Sequence, residues 1–341
     1  MVKYIHITVD GSHFPDLINE KVSRPGMYQW QRAFNTGKDT GVISHINSVA
    51  PADLKNYDIV HANLCGVSAA SIPRVKEAIK GTDTKLILNL DYAVELVQEA
   101  FARPKEMWEA VLAADFIFAQ EPFQQNFLNF FLRYQNPDNP SNNPPKHSIP
   151  CIPHPCDTEG LKKFVVPNED RLDQCTVMIH RYKEPVLIPA VISWGIKSST
   201  WAVGFTQGNI PMGLFTEASA LMEWPRYIYK LAHSTMALDY YLGIHSHSRF
   251  VEECACLGIP CVSTCESYTA KMIFPEINHD ETDLRGIRND LERLEKGFES
   301  GTPDEFWLDL QKKGSERVEQ FNYVNSKQHL LDAMRAWEIK I

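Results

Sequence analysis

Residues 247–264, HSRFVEECACLGIPCVST, set two adjacent glutamates, Glu252 and Glu253, between an aromatic residue and a run of small ones. Ser246 or Ser248 can cap a helix start, Phe250 to Leu257 span about two turns, and Gly258 suits the left-handed position after a helix. Pro260 to Thr264 then reads as a short buried strand. Cys254, Ala255 and Cys256 are small enough to let that helix press closely on a neighbour. If Phe250 and Leu257 face the core, the two glutamates lie about 100° apart on the helix, and at most one points straight out to water. One reading places both on a solvated flank. The other starts from the polar, Ser-rich helix start, whose amide N–H groups lack carbonyl partners and can hold an anion.

Two histidines frame the same segment. His245 and His247 form an H-x-H pair, yet no third ligand is spaced to join them, so no metal is expected there. A zinc deaminase pattern fails as well, because His247 lacks the H-x-E partner and Cys261 to Cys265 is C-x-x-x-C. No Asp-x-Asp stands ready to clamp a diphosphate through a metal.

The elements that must position these residues are read from pattern and composition. The 341 residues are 44% hydrophobic and 23% charged, enough for two domains with separate cores. No run of 18 apolar residues occurs and MVKYIHITVDG reads as a strand, so a soluble, cytoplasmic protein without a transmembrane segment is expected. Eight cysteines without a C-x-x-C pair are expected to be reduced core thiols. Net charge is −9; residues 1–155 hold 14 basic against 16 acidic residues, which advertises neither a nucleic-acid nor a membrane surface. Short apolar strands alternate with helical patterns, the signature of parallel sheets. Strands are expected at 3–9, 41–46, 58–64, 85–91 and 115–120, then at 174–180, 200–205, 212–216, 235–240 and 260–264. Helices are expected near 26–36, 70–80, 93–101, 105–113 and 121–133, and helical structure again over 304–338. The Pro- and Asn-rich stretch 134–146 reads as a loop. The expected domains are 1–152 and 153–320, with 321–341 as a helix returning to the first.

Two such domains form a cleft at the C-terminal edges of their strands, where nucleotides and phosphates bind. The second half resembles the C-terminal domain of a GT-B glycosyltransferase, most of all the family 4 type. EECACLGIPCVS is similar to the second part of that family's motif, with Glu253 at its second glutamate. Eight residues earlier, where the family has its first glutamate, stands His245. Pro153-His154-Pro155-Cys156-Asp157 echoes the family's junction turn, and VMIHRYKEP places Arg181 at its phosphate-binding arginine.

The resemblance implies a GT-B fold and a transferase that takes a nucleotide-diphosphate sugar, UDP- or GDP-linked, as donor. No metal or cofactor is required, and the configuration at the sugar is retained. Glu253 would hold the ribose hydroxyls, with Glu252 as its solvent-side or structural partner. Ser248, Arg249 and Phe250 would present amides to the diphosphate or sugar. Arg181 and Lys183 would meet the leaving diphosphate, and His245 would face the sugar or sit as a satisfied core histidine. His13 and His154, both in expected loops, would stand on the acceptor side. The acceptor is expected to be a glycan or small hydroxyl compound. The alternatives are hydroxymethylated pyrimidines in DNA, a sugar-nucleotide-binding protein without catalysis, and a sugar-nucleotide epimerase.

Overall fold

The structure, a computed structural model, describes residues 2–8, 26–34, 44–45, 51–64, 69–90, 104–134, 147–179, 186–204, 213–219, 222, 224–299 and 301–341. The chain divides into two compact units. One runs to Cys156 and takes back Phe321–Ile341; the other is built from Asp157–Gln320.

The first unit carries five parallel strands, β1 (Tyr4–Thr8), β2 (Ser44–His45), β3 (Ile59–Leu64), β4 (Lys85–Leu90) and β5 (Phe116–Phe118), in the order β2-β1-β3-β4-β5. The second carries six, β6 (Leu172–Ile179), β7 (Ser199–Gly204), β8 (Glu217–Ser219), β9 (Ser234–Asp239), β10 (Cys261–Thr264) and β11 (Asn278–His279), in the order β11-β10-β9-β6-β7-β8, again all parallel. Among the helices, six shape the cores and the candidate site. They are α1 (Gly26–Phe34), α2 (Trp224–Ala232), α3 (Arg249–Cys256), α4 (Tyr268–Ile273), α5 (Glu305–Arg317) and α6 (Tyr323–Ala336).

Parallel strands buried on both faces read as continuous apolar runs, and this is how β3, β4 and β5 were legible. Alternation sorts their side chains. Ile5, Ile7, Val60, Ala62, Leu86 and Leu88 fill an aliphatic core on one face. Tyr4, Ile59, Ile87, Phe116 and Phe118 fill the other, together with Trp30 and Phe34 of α1 and Leu330 and Met334 of α6. That second face also buries a polar ladder. Tyr4 and His6 on β1, His61 and Asn63 on β3, and Asn89 on β4 sit side by side, with both imidazoles fully buried.

Hydrogen bonds fix the ladder's protonation. His6 Nε2 lies 3.1 Å from Asn63 Oδ1 and His61 Nε2 lies 2.6 Å from Asn89 Oδ1. An amide oxygen only accepts, so each Nε2 carries a hydrogen. The Tyr4 hydroxyl donates to His61 Nδ1 at 2.5 Å and stands 3.5 Å from His6 Nδ1. Burial keeps both rings neutral. Burial pulls the pKa of His6 down to about 3; burial and the neighbouring His6 pull that of His61 well below its usual value.

In the second unit a buried arginine ties three elements together. Arg171 donates from Nη1 to the carbonyls of Ala232 and Ser234, at 3.2 and 3.0 Å, and from Nη2 to Leu257 at 2.8 Å. Its Nε donates to Asn168 Oδ1 at 3.1 Å. The end of α2, the start of β9 and the end of α3 are thereby fastened to one side chain, and burial lowers its pKa to about 10.

One expectation shifts and another gains detail. The strand expected at 212–216 lies at 217–219, an edge strand whose exposed residues give no apolar pattern. The helical stretch 304–338 is two helices, because Asn322 caps α6 by accepting from the Asn325 N–H and so restarts the chain. Residues 93–101, read as a helix, and nearly all of the loop 134–146 lie outside the described residues.

Candidate functional site

In the second unit the strand order reverses at β6. Later strands β7 and β8 lie on one side of it, β9 to β11 on the other. In open α/β sheets ligands bind beyond the carboxyl ends of the strands at such a switch point. Here those ends lead into residues 180–185 after β6 and 240–248 after β9, and the second segment runs straight into α3.

That segment is stitched to the next crossover. Ser246 N–H donates to the Glu266 carbonyl and Tyr268 N–H to the Ser246 carbonyl, both at 3.0 Å. Ser248 N–H donates to Thr269 Oγ1, whose hydroxyl donates back to the Ser248 carbonyl, each at 2.9 Å. Gly243 N–H donates to Glu281 Oε2, and Tyr241 is tied to Thr264 in both directions. The start of α3 is thus held on α4 and on the end of β10. Ser248 is the N-cap residue, 2% exposed, and its Oγ has no hydrogen-bond partner among the described residues. The Ser248 amide was expected to face an anion; it is instead spent on Thr269. The amides of Arg249 and Phe250, in the first turn of α3, have no carbonyl within the helix to bond.

The two glutamates part company. Glu252 is 1% exposed, which overturns its solvent-side placement. A carboxylate taken out of water needs a polar partner, and His247 Nε2 stands 3.0 Å from Glu252 Oε1, with both side chains 2% exposed. Glu253 remains partly exposed. Its Oε2 accepts from the Tyr227 hydroxyl at 2.7 Å, and the Trp224 indole also bonds its carboxyl. Burial raises the Glu253 pKa, while Arg249 and those two hydrogen bonds pull it back.

The other expected site residues fall in different places. His245 lies in the β9–α3 segment, partly exposed, a few residues before the cap. Phe250 points its ring into the core at 4% exposure, leaving only its amide for a ligand. Arg181 and Lys183, two and four residues beyond the end of β6, lie outside the described residues, as does His13. His154 belongs to the first unit. It is 6% exposed and close enough to His61 to weigh on that ring's charge, in an extended segment that bonds to Ala119 beside β5. Sequence reasoning missed Tyr227 and Trp224. The only signal was their spacing, three apart, which puts both on one face of a helix.

No protein-family profile matches the chain, and no curated protein sequence matches it. Solved structures do. An alpha-glucosyltransferase in complex with UDP-glucose and DNA containing an abasic site superposes with a TM-score of 0.65 at 10% identity, over 97% of this chain and 98% of that one. HepE of Anabaena, in complex with UDP, gives 0.63 at 12% identity over 98% and 100%. AviGT4, a glycosyltransferase involved in avilamycin A biosynthesis, gives 0.56 at 12% identity over 98% and 97%. The chain has the GT-B fold of two parallel-sheet α/β domains.

Proposed function

We propose that the chain is a glycosyltransferase that moves a sugar from a UDP-sugar to a hydroxyl acceptor. The observation that carries this reading is the placement of the first turn of α3 and of Glu253 beyond the carboxyl end of β9, beside the switch point of the second sheet. Whole-chain likeness to proteins holding UDP or UDP-glucose supports it.

Each part has a physical role. The amides of Arg249 and Phe250 and the positive end of the α3 dipole attract the diphosphate. Glu253 receives the two ribose hydroxyls through charge-assisted bonds. As the bond from the sugar carbon to the phosphate oxygen breaks, the diphosphate takes the electron pair and gains charge, which Arg181 and Lys183 neutralise. The acceptor oxygen forms the new bond to that carbon and gives up its proton. In a retaining transfer, the outcome the family resemblance implies, the departing phosphate oxygen takes that proton and no side-chain base is required. His245, in the family's first glutamate position, faces the sugar.

A thermal-shift screen against UDP-, GDP-, ADP- and TDP-sugars tests the donor, since a ligand bound only by the folded state raises its stability. With the donor chosen, Glu253→Ala should weaken its binding by about 1.5–3 kcal/mol, the value of charged hydrogen bonds, in a variant that still folds but melts lower, because the buried Tyr227 and Trp224 donors lose their acceptor. Unchanged affinity by calorimetry would take Glu253 out of the site. Release of free sugar on long incubation separates an enzyme from a binding protein.

For the acceptor we infer a glycan or small hydroxyl compound. In the first unit, of the close-set Arg74, Lys76 and Lys80, Lys76 is paired with Asp115 at 2.5 Å and Lys80 with Glu77 at 3.2 Å. The DNA bound by one structural neighbour supports the second reading, a DNA acceptor. Incubation with hydroxymethylated-pyrimidine DNA, then digestion and mass spectrometry, separates the two: a nucleoside heavier by one sugar makes DNA the substrate.

A further inference from the structure

Glu253 is not held by its own helix alone. Two aromatic side chains of α2, Tyr227 and Trp224, three residues apart and 7% and 6% exposed, direct their polar hydrogens at its carboxyl group. A buried tyrosine or tryptophan must place its polar hydrogen somewhere, and here both choose one carboxylate beside the proposed donor site. We propose that Tyr227, supported by Trp224, is a positioning residue for the donor: its hydroxyl fixes the Glu253 carboxylate in orientation and favours its charged form, so that the remaining acceptor positions meet the ribose. This rests on the reading of Glu253 as the ribose-binding group.

Among the described residues, the groups facing that carboxylate are few. From α3 come Arg249, which favours its charge, and Glu252, which opposes it, with Cys254 beside them as a thiol that burial keeps protonated; from α2 come Tyr227 and Trp224. Glu252 has its own partner in His247. Burial works against the ionised form, while Arg249 and the two aromatic donors favour it. Loss of the Tyr227 hydroxyl removes a donor to the ionised form, and Glu253 must then take up a proton at higher pH than in the wild type. A protonated carboxyl loses the charge that strengthens its bonds to the ribose hydroxyls. Affinity for the nucleotide should therefore fall as pH falls, and return as pH rises.

The test is calorimetric binding of UDP to wild type, Tyr227→Phe and Glu253→Ala between pH 5.5 and 8.5. Each variant is read as the ratio of its Kd to that of wild type at the same pH, which cancels the titration of the nucleotide's own phosphate near pH 6. For Tyr227→Phe the ratio should be within about threefold at pH 8.5 and rise to about tenfold or more at pH 5.5, one pKa unit being worth a factor of ten. For Glu253→Ala the ratio should be large at the alkaline end and shrink toward acid. A constant Tyr227→Phe ratio across the range would mean that the ring serves only as packing, and would overturn the proposal. If Glu253→Ala binds UDP like wild type, the ribose reading itself fails, and this proposal with it. Should Tyr227→Phe not fold, Trp224→Phe must show the same acid-dependent loss, and a flat ratio there is equally decisive against it.

Discussion

Lowering the pH from 7 to 5 should cost the first unit roughly 2 kcal/mol of stability through His6 of its buried ladder, with His61 adding loss in the same direction. An unfolded histidine takes up a proton near pH 6.5. Folded His6 does so only at about pH 3, and His61 is held well below its usual value too. Above pH 6.5 neither state binds the proton and the ladder carries no penalty. As pH falls through 6.5 the unfolded state binds more protons than the folded one, so stability drops, and it goes on dropping toward pH 3. At pH 5, about 1.5 units below the unfolded value, His6 contributes roughly 2 kcal/mol of loss, and His61 adds to it in the same direction. That loss is a large part of an ordinary domain's stability. The partners that bond the two rings are Asn63, Asn89 and Tyr4, none of which can neutralise an imidazolium. Urea unfolding followed at stepped pH should show a midpoint that falls steeply between pH 6.5 and 5. In His61→Gln the slope should lessen by about one proton. A midpoint level over that range would refute the protonation assigned to the ladder.

Arg181→Ala should lower turnover of the UDP-sugar by roughly two to three orders of magnitude, the scale for losing one preorganised electrostatic group. The arginine follows β6, whose end marks the switch point, and its proposed task grows as the diphosphate gathers charge. In the proposed ground-state complex the α3 amides already meet the diphosphate, so the Kd for UDP should change far less than kcat. Quench-flow measurement of UDP release beside equilibrium binding separates the two quantities. Turnover within a factor of two of wild type would put the phosphate site elsewhere.

The class of fold was legible because parallel strands covered on both sides must be apolar throughout. IVHANL and KLILNL announce β3 and β4 in that way. The polar letters inside those same strands carried the ladder, at alternate positions from Tyr4 and His6 through His61 and Asn63 to Asn89. Their meaning depended on register, since only strand pairing brings His6 opposite His61. Around the candidate site, the helix, its cap and Gly258 could be read from local chemistry; the helix begins at Arg249, one residue before the expected start. Which glutamate is buried could not, because residues 100° apart on a helix are told apart only by what packs on each. His247 claims Glu252, and Tyr227, 26 residues upstream of Glu253, claims the other. Pairings between elements leave no mark in local periodicity.

Arg171 bears on how this sequence can change with time. Three backbone carbonyls from three segments converge on one guanidinium, and carbonyls remain whatever side chains their residues acquire. Drift at Ala232, Ser234 or Leu257 therefore leaves the demand for donors in place. Lysine offers a point charge on a flexible stem and cannot span the fork, and no other residue presents five donors in a plane. Position 171 should thus stay fixed while the surface around it is rewritten, an anchor of descent set by main-chain geometry.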